Sequence, residues 1–121
     1  MSAGTWIAVA ALGSVAAVGR FLLGGWISVR SSSPLPLGTL VVNLSGALLL
    51  GLVAGLALAG NALVLVGAAT IGSYTTFSTW MLETHRLNAE GRTSVAVTNI
   101  VASIVLGVAA VALGRTIGRW L

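Results

Sequence analysis

The residues best suited to chemistry lie in one window, Gly72 to Glu83, which reads G-S-Y-T-T-F-S-T-W-M-L-E. It holds five hydroxyl side chains besides Tyr74, two aromatics three residues apart and a carboxylate at its end. The window lies inside an apolar stretch, and polarity at membrane depth is tolerated only where it is buried in protein or lines a wet cavity. The expectation is an interrupted, pore-forming segment. Ala68, Ala69, Thr70, Gly72 and Ser73 weaken the helix ahead of Thr75 and Thr76. A break there frees backbone carbonyls and amides, which must find partners because each unsatisfied group in hydrocarbon costs several kcal/mol.

The elements that position this window follow from composition. Of 121 residues, 57% are hydrophobic and 7% charged, against about a quarter charged in a soluble domain. Mean hydropathy is +1.06. These values describe a single-domain, all-α integral membrane protein. The six basic residues are all arginine. They fit anionic headgroups, and no basic face with interleaved aromatics offers a nucleic-acid surface. Without cysteine there is neither disulfide nor thiolate metal site. No nucleophile–base pair or ligand cluster points to an enzyme. His85 stands alone and reads as a solvated loop residue. The start of the chain lacks a positive n-region, so a retained first helix is expected.

Four spans of roughly bilayer length are expected at 5–29, 37–59, 62–87 and 94–117. Trp6 and Trp26 bracket the first as interfacial anchors. Arg20 lies within it, and either snorkels to the interface or faces a water-filled vestibule. Pro34 and Pro36 turn the chain into the second span, on which Thr39, Asn43 and Ala47 share a face and Gly51 and Gly55 form a GxxxG pair. The Gly60-Asn61 connector forces spans two and three to be antiparallel neighbours. A charged loop, His85 to Thr93, leads to the last span, where Asn99, Ser103 and Gly107 form a stripe. The arginine count differs between the two sides by only one or two, a weak orientation signal. Four short helices hardly enclose a pore alone, so an antiparallel, dual-topology dimer is inferred.

A path lined by Asn43, Phe77, Ser78, Thr79, Trp80 and Ser103 offers neutral amide and hydroxyl donors and the positive edges of aromatic rings. Such a lining suits a small, hydrated anion that must shed water yet leave again. The same serines and threonines also fit simple packing or bonding to the i−4 carbonyl. Glu83 either neutralises Arg20 or Arg86, or caps the wet end of its helix.

Three stretches carry a resemblance: G-S-V-A-A-V-G-R-F (Gly13 to Phe21), G-T-L-V-V-N-L-S-G (Gly38 to Gly46) and the Gly72 to Glu83 window. With length, layout and spacing, they resemble the small bacterial fluoride channels, the Fluc/CrcB family. The resemblance implies a multi-pass protein of the inner (plasma) membrane, a dual-topology antiparallel dimer, and passive fluoride export through two pathways. It implies a third helix broken in mid-membrane and a structural Na+ on the dimer axis held by the carbonyls of Gly72 and Thr75. It also implies pathway roles for Asn43, Phe77, Ser78, Thr79, Glu83 and Ser103, with Arg20 at the vestibule. Trp80 stands where the family usually has phenylalanine. A homodimer is expected, and a heterodimer with this chain as a non-conducting partner subunit is the alternative. A small dual-topology multidrug or cation transporter is a further reading, weakened because such carriers need a membrane-embedded carboxylate and only Glu83 and Glu90 are present.

Overall fold

The chain is described by a computed structural model over residues 1–121. It is all helical: α1 (Ala3–Arg30), α2 (Leu37–Gly55), α3 (Gly60–Leu63), a π-helical segment (Val64–Ile71), α4 (Gly72–Tyr74), α5 (Ser78–Ala89) and α6 (Thr93–Trp120). Four stretches are long and apolar enough to cross a membrane: Ala3–Arg30, Leu37–Gly55, Gly60–Ala89 and Thr93–Trp120. At 1.5 Å per residue, the 19 residues of α2 span about 28 Å, close to the hydrocarbon thickness. Trp6, Ile7, Val15, Phe21 and Val108 stand exposed on the outside of the chain. Water would penalise that surface, whereas lipid does not.

Local chemistry sets the ends. Ser2 Oγ accepts the Thr5 amide at 3.1 Å and caps α1. At the other end the Arg30 guanidinium lies 4.2 Å over the Trp26 ring and donates to the Trp26 carbonyl, before Pro34 and Pro36 exclude further helix. α5 and α6 are joined by Glu90, Gly91 and Arg92 alone. Gly91 takes φ +78° while Arg92 N–H reaches back to Leu87 O, a glycine-terminated helix end.

The firmest helix pair is α2 with α6. A Cβ placed on Gly51 would lie 2.1 Å from Val111 O, and one on Gly114 would lie 2.1 Å from Leu48 O. Gly55 and Gly118 meet one turn further along. Two facing GxxxG pairs thus bring the backbones together, which is how membrane helices gain packing without a hydrophobic drive. α1 lies against α2, the π-helical segment and α4, while α5 packs on α6.

The structure adjusts several sequence expectations. α2 stops at Gly55 rather than residue 59. The chain turns through Ala57 at φ +55° and Gly60 at φ +58°, so the connector is residues 56–59 and not Gly60-Asn61. His85 and Arg86 belong to α5 rather than to a loop; His85 is exposed. The third span is interrupted, but at Thr75–Phe77, just beyond the small-residue run. That run is helical, in part as a π-helix.

Candidate functional site

The break is made from side chains that outcompete the helix ladder. Thr75 is extended, with φ −79° and ψ 158°. Asn43, on α2, donates through Nδ2 to Thr76 O and accepts Thr76 N–H on Oδ1, both at 2.8 Å. The carboxamide thereby replaces the neighbours that Thr76 would have in a continuous helix. Thr76 Oγ1 accepts Thr79 N–H at 3.3 Å, satisfying an amide in the first turn of α5. Gly46 is the residue that lets Thr75 approach, because a Cβ there would lie 2.2 Å from Thr75 Cγ2.

These bonds have a second effect. In an unbroken helix Thr76 N–H would close on Gly72 O and Thr79 N–H on Thr75 O. Both amides are bound elsewhere, so the two carbonyls lose their helical donors. Gly72 and Thr75 both line one cavity of about 350 Å³, along with Asn43, Phe77 and Trp80. Two oxygen acceptors of this kind suit a hard cation. No three His, Cys, Asp or Glu side chains converge to make a different metal cage.

α5 is a wall with two working faces. Thr76, Thr79, Glu83 and Arg86 follow i, i+3, i+7, i+10 spacing and line a second cavity of about 350 Å³ that also holds Arg20 and Thr39. The other face carries Phe77, Trp80 and Thr84. Phe77 and Trp80 meet edge to face, ring centroids 5.7 Å apart and planes at 81°, so the positive edge of one ring meets the negative face of the other. Thr76 lines both cavities. A smaller cavity of about 240 Å³ beneath the Ser31–Leu37 connector shares Ser28, Glu83 and Arg86 with the Arg20 cavity, and so continues it toward the loop side.

Each expected residue can now be placed. Arg20 lines a cavity along α1, ten residues or about 15 Å from Arg30. The Glu83 carboxylate accepts a hydrogen bond from the Thr39 hydroxyl, so its contact is across to α2. Asn43, Phe77 and Trp80 come together, as do Arg20, Thr79 and Glu83. Ser78 does not join them: it is exposed, turned about 100° from Thr79, and lines neither cavity. Ser103 is half-buried on α6 and lines neither.

Sequence reasoning missed one tie. Asn99, buried on α6, donates to Thr84 Oγ1 at 2.9 Å, and Thr84 in turn donates to Trp80 O at 2.8 Å. The stripe on α6 marked Asn99, but nothing in the sequence marked Thr84 as its partner. α5 is therefore held to α2 by Thr39 and to α6 by Asn99, while Asn43 ties the break ahead of it to α2. It needs such lateral bonds because the break cuts it off from α4.

Comparison with known proteins agrees with this architecture. Residues 7–115 match the family described as CrcB-like protein, Camphor Resistance (CrcB). A protein of Mycolicibacterium paratuberculosis named fluoride-specific ion channel FluC 2 is 54% identical over 114 residues, covering 94% of this chain and 93% of its own. A FluC 2 of Mycobacterium tuberculosis is 48% identical over 94% of this chain and 90% of its own. A FluC 1 of Rubrobacter xylanophilus is 44% identical at the same coverage. A broken third span clamped from the second, in a chain matched along nearly its whole length, places this protein in the CrcB family.

Proposed function

We propose that this chain is the subunit of a fluoride-selective channel that lets fluoride leave the cell passively. The observation that carries the proposal is the pair of cavities flanking α5, lined by amide and hydroxyl donors and the aromatic pair, with Arg20, Glu83 and Arg86 as the charged groups of one of them. Arg20 raises the local anion concentration. Thr39 and Thr79 present hydroxyls, and Asn43 keeps one Nδ2–H beyond the one spent on Thr76. The edges of Phe77 and Trp80 add positive potential without fixed charge, so an ion is stabilised on entry yet free to leave.

The working unit we propose is an antiparallel, dual-topology homodimer in the inner (plasma) membrane, whose second copy completes the cavity lined by Phe77 and Gly72. Na+ fits the Gly72 and Thr75 carbonyls, which the Asn43 clamp has stripped of helical donors. When bound it supplies positive charge to acceptors that lipid leaves unsatisfied. Fluoride efflux from liposomes, with chloride as control, tests the reading. Wild type should dissipate a fluoride gradient and spare chloride, and Phe77→Ile or Asn43→Asp should slow the flux sharply. Efflux equal to that of empty liposomes refutes the channel. Indifference of assembly and flux to sodium removal refutes the cation site alone.

A further inference from the structure

The short helix that carries Gly72 has little of its own structure to fix it. α4 follows the π-helical segment, and Gly72 N–H closes five residues back on Gly67 O. Beyond it Thr75 is extended and leaves the helix. A single turn isolated in this way is marginal by itself, so its neighbours set its orientation. On one side lies α1, where a Cβ on Gly13 would sit 3.0 Å from Ser73 Oγ. On the other lies α2, where a Cβ on Gly46 would sit 3.4 Å from Tyr74 Cδ1.

One side-chain hydrogen bond ties α4 to another element: the Tyr74 hydroxyl meets Ser45 Oγ at 2.9 Å. Its direction follows from the protons available. Ser45 donates its single hydroxyl proton to Val42 O at 3.0 Å, so Ser45 Oγ accepts and Tyr74 O–H donates. Ser45 is thus steadied by its own helix and offers Tyr74 a fixed acceptor. Neither residue lines the cavity that Gly46, Gly72 and Thr75 share. Tyr74 stands between Gly72 and Thr75 in the chain, so its tie reaches their carbonyls through the backbone.

Resting on the cation-site reading above, we propose that Tyr74 is a positioning residue of that site, its bond to Ser45 keeping the Gly72 and Thr75 carbonyls at a spacing that suits Na+. Selection among hard cations depends on cavity size, ligand number and flexibility. Deleting the bond leaves the ligands as they are and loosens the segment that presents them. Sodium affinity then falls, and the preference for Na+ over the larger K+ narrows. A tie that serves packing alone would lower stability by the same amount with or without sodium.

The test is thermal unfolding of the full chain in detergent, purified without sodium and titrated with sodium chloride or potassium chloride at constant ionic strength. A cation held only by the folded protein raises the midpoint as its concentration passes Kd. Tyr74→Phe deletes the donor and keeps the ring against Gly46. Its fitted sodium Kd should be about three to ten times that of wild type, and the ratio of potassium Kd to sodium Kd should fall. Ser45→Ala removes the acceptor and should give the same shift, with no further shift in the double variant. Tyr74→Phe with the wild-type sodium Kd, whatever its midpoint without sodium, overturns the proposal and leaves the cation site standing. Shifts that add in the double variant overturn it as well. Wild type whose midpoint ignores sodium overturns the cation-site reading and this one together. If Tyr74→Phe does not fold, Ser45→Ala decides by the same measurement.

Discussion

Replacing Asn43 with leucine is the sharpest probe of the broken helix. Leucine matches asparagine in size, so the change removes two hydrogen bonds with little cavity cost. Each of the 2.8 Å bonds to Thr76 contributes about 0.5–1.5 kcal/mol net, and a stranded buried partner costs about 1–3 kcal/mol. Bonds between membrane helices average lower, about 0.6 kcal/mol. Thr76 borders two cavities, so water can reach one of its stranded groups. The loss expected for Asn43→Leu is about 2–4 kcal/mol. For a chain of this size that lowers the thermal midpoint by about 5–15 °C, read by circular dichroism in detergent micelles. There is a functional consequence as well. Freed from Asn43, Thr76 N–H can close on Gly72 O, which removes one exposed carbonyl and straightens the segment leading to Phe77. Fluoride efflux should therefore fall at least about tenfold, a change equivalent to about 1.4 kcal/mol. Asn61→Leu, the same chemical change at an exposed position, is the control and should alter neither quantity. The reasoning is refuted if Asn43→Leu unfolds at the wild-type temperature and conducts at the wild-type rate.

Two further predictions concern glycine and the left-handed turn. Gly114→Ala should destabilise the protein by about 2 kcal/mol, because its Cβ would lie 2.1 Å from the Leu48 carbonyl and the helices must part. Gly107→Ala on the same helix, where a Cβ meets no atom within 4 Å, should be neutral or stabilising by up to about 1 kcal/mol. Equal effects in thermal unfolding would refute the assigned α2–α6 contact. Ala57→Gly should raise stability by about 1 kcal/mol, since Ala57 holds φ +55° and glycine carries no Cβ penalty there; a lowered midpoint would count against that turn.

Much of this fold is legible in the sequence, and what is hidden has physical reasons. Hydropathy locates the four spans, and the crowding of Ser73, Thr75, Thr76, Ser78 and Thr79 marks the break. The exact site of the break is not local information. It is decided by Asn43, 33 residues away, competing for the Thr76 amide. Glycine and alanine before it remain helical because small residues are tolerated in membrane helices when neighbours pack closely. The end of α2 is invisible because residues 56–59 are Leu-Ala-Leu-Ala, as apolar as the helix they terminate. Gly114 and Gly118 form a packing motif as clear as Gly51 and Gly55, yet Arg115 and Thr116 between them disguise it as a polar end. Ser78 and Thr79 read as one track because adjacent letters look equivalent. In a helix they point about 100° apart, and only Thr79 reaches a cavity.

A helix that serves as a partition between two chambers is open to independent tuning. Exchanging a residue at position 79 or 83 alters the chamber that Arg20 lines. An exchange at 77 or 80 alters the one beneath the severed ladder, and the bonds to Thr39 and Asn99 keep the partition upright in either case. The two chambers can thus be altered separately, each by single replacements on its own side.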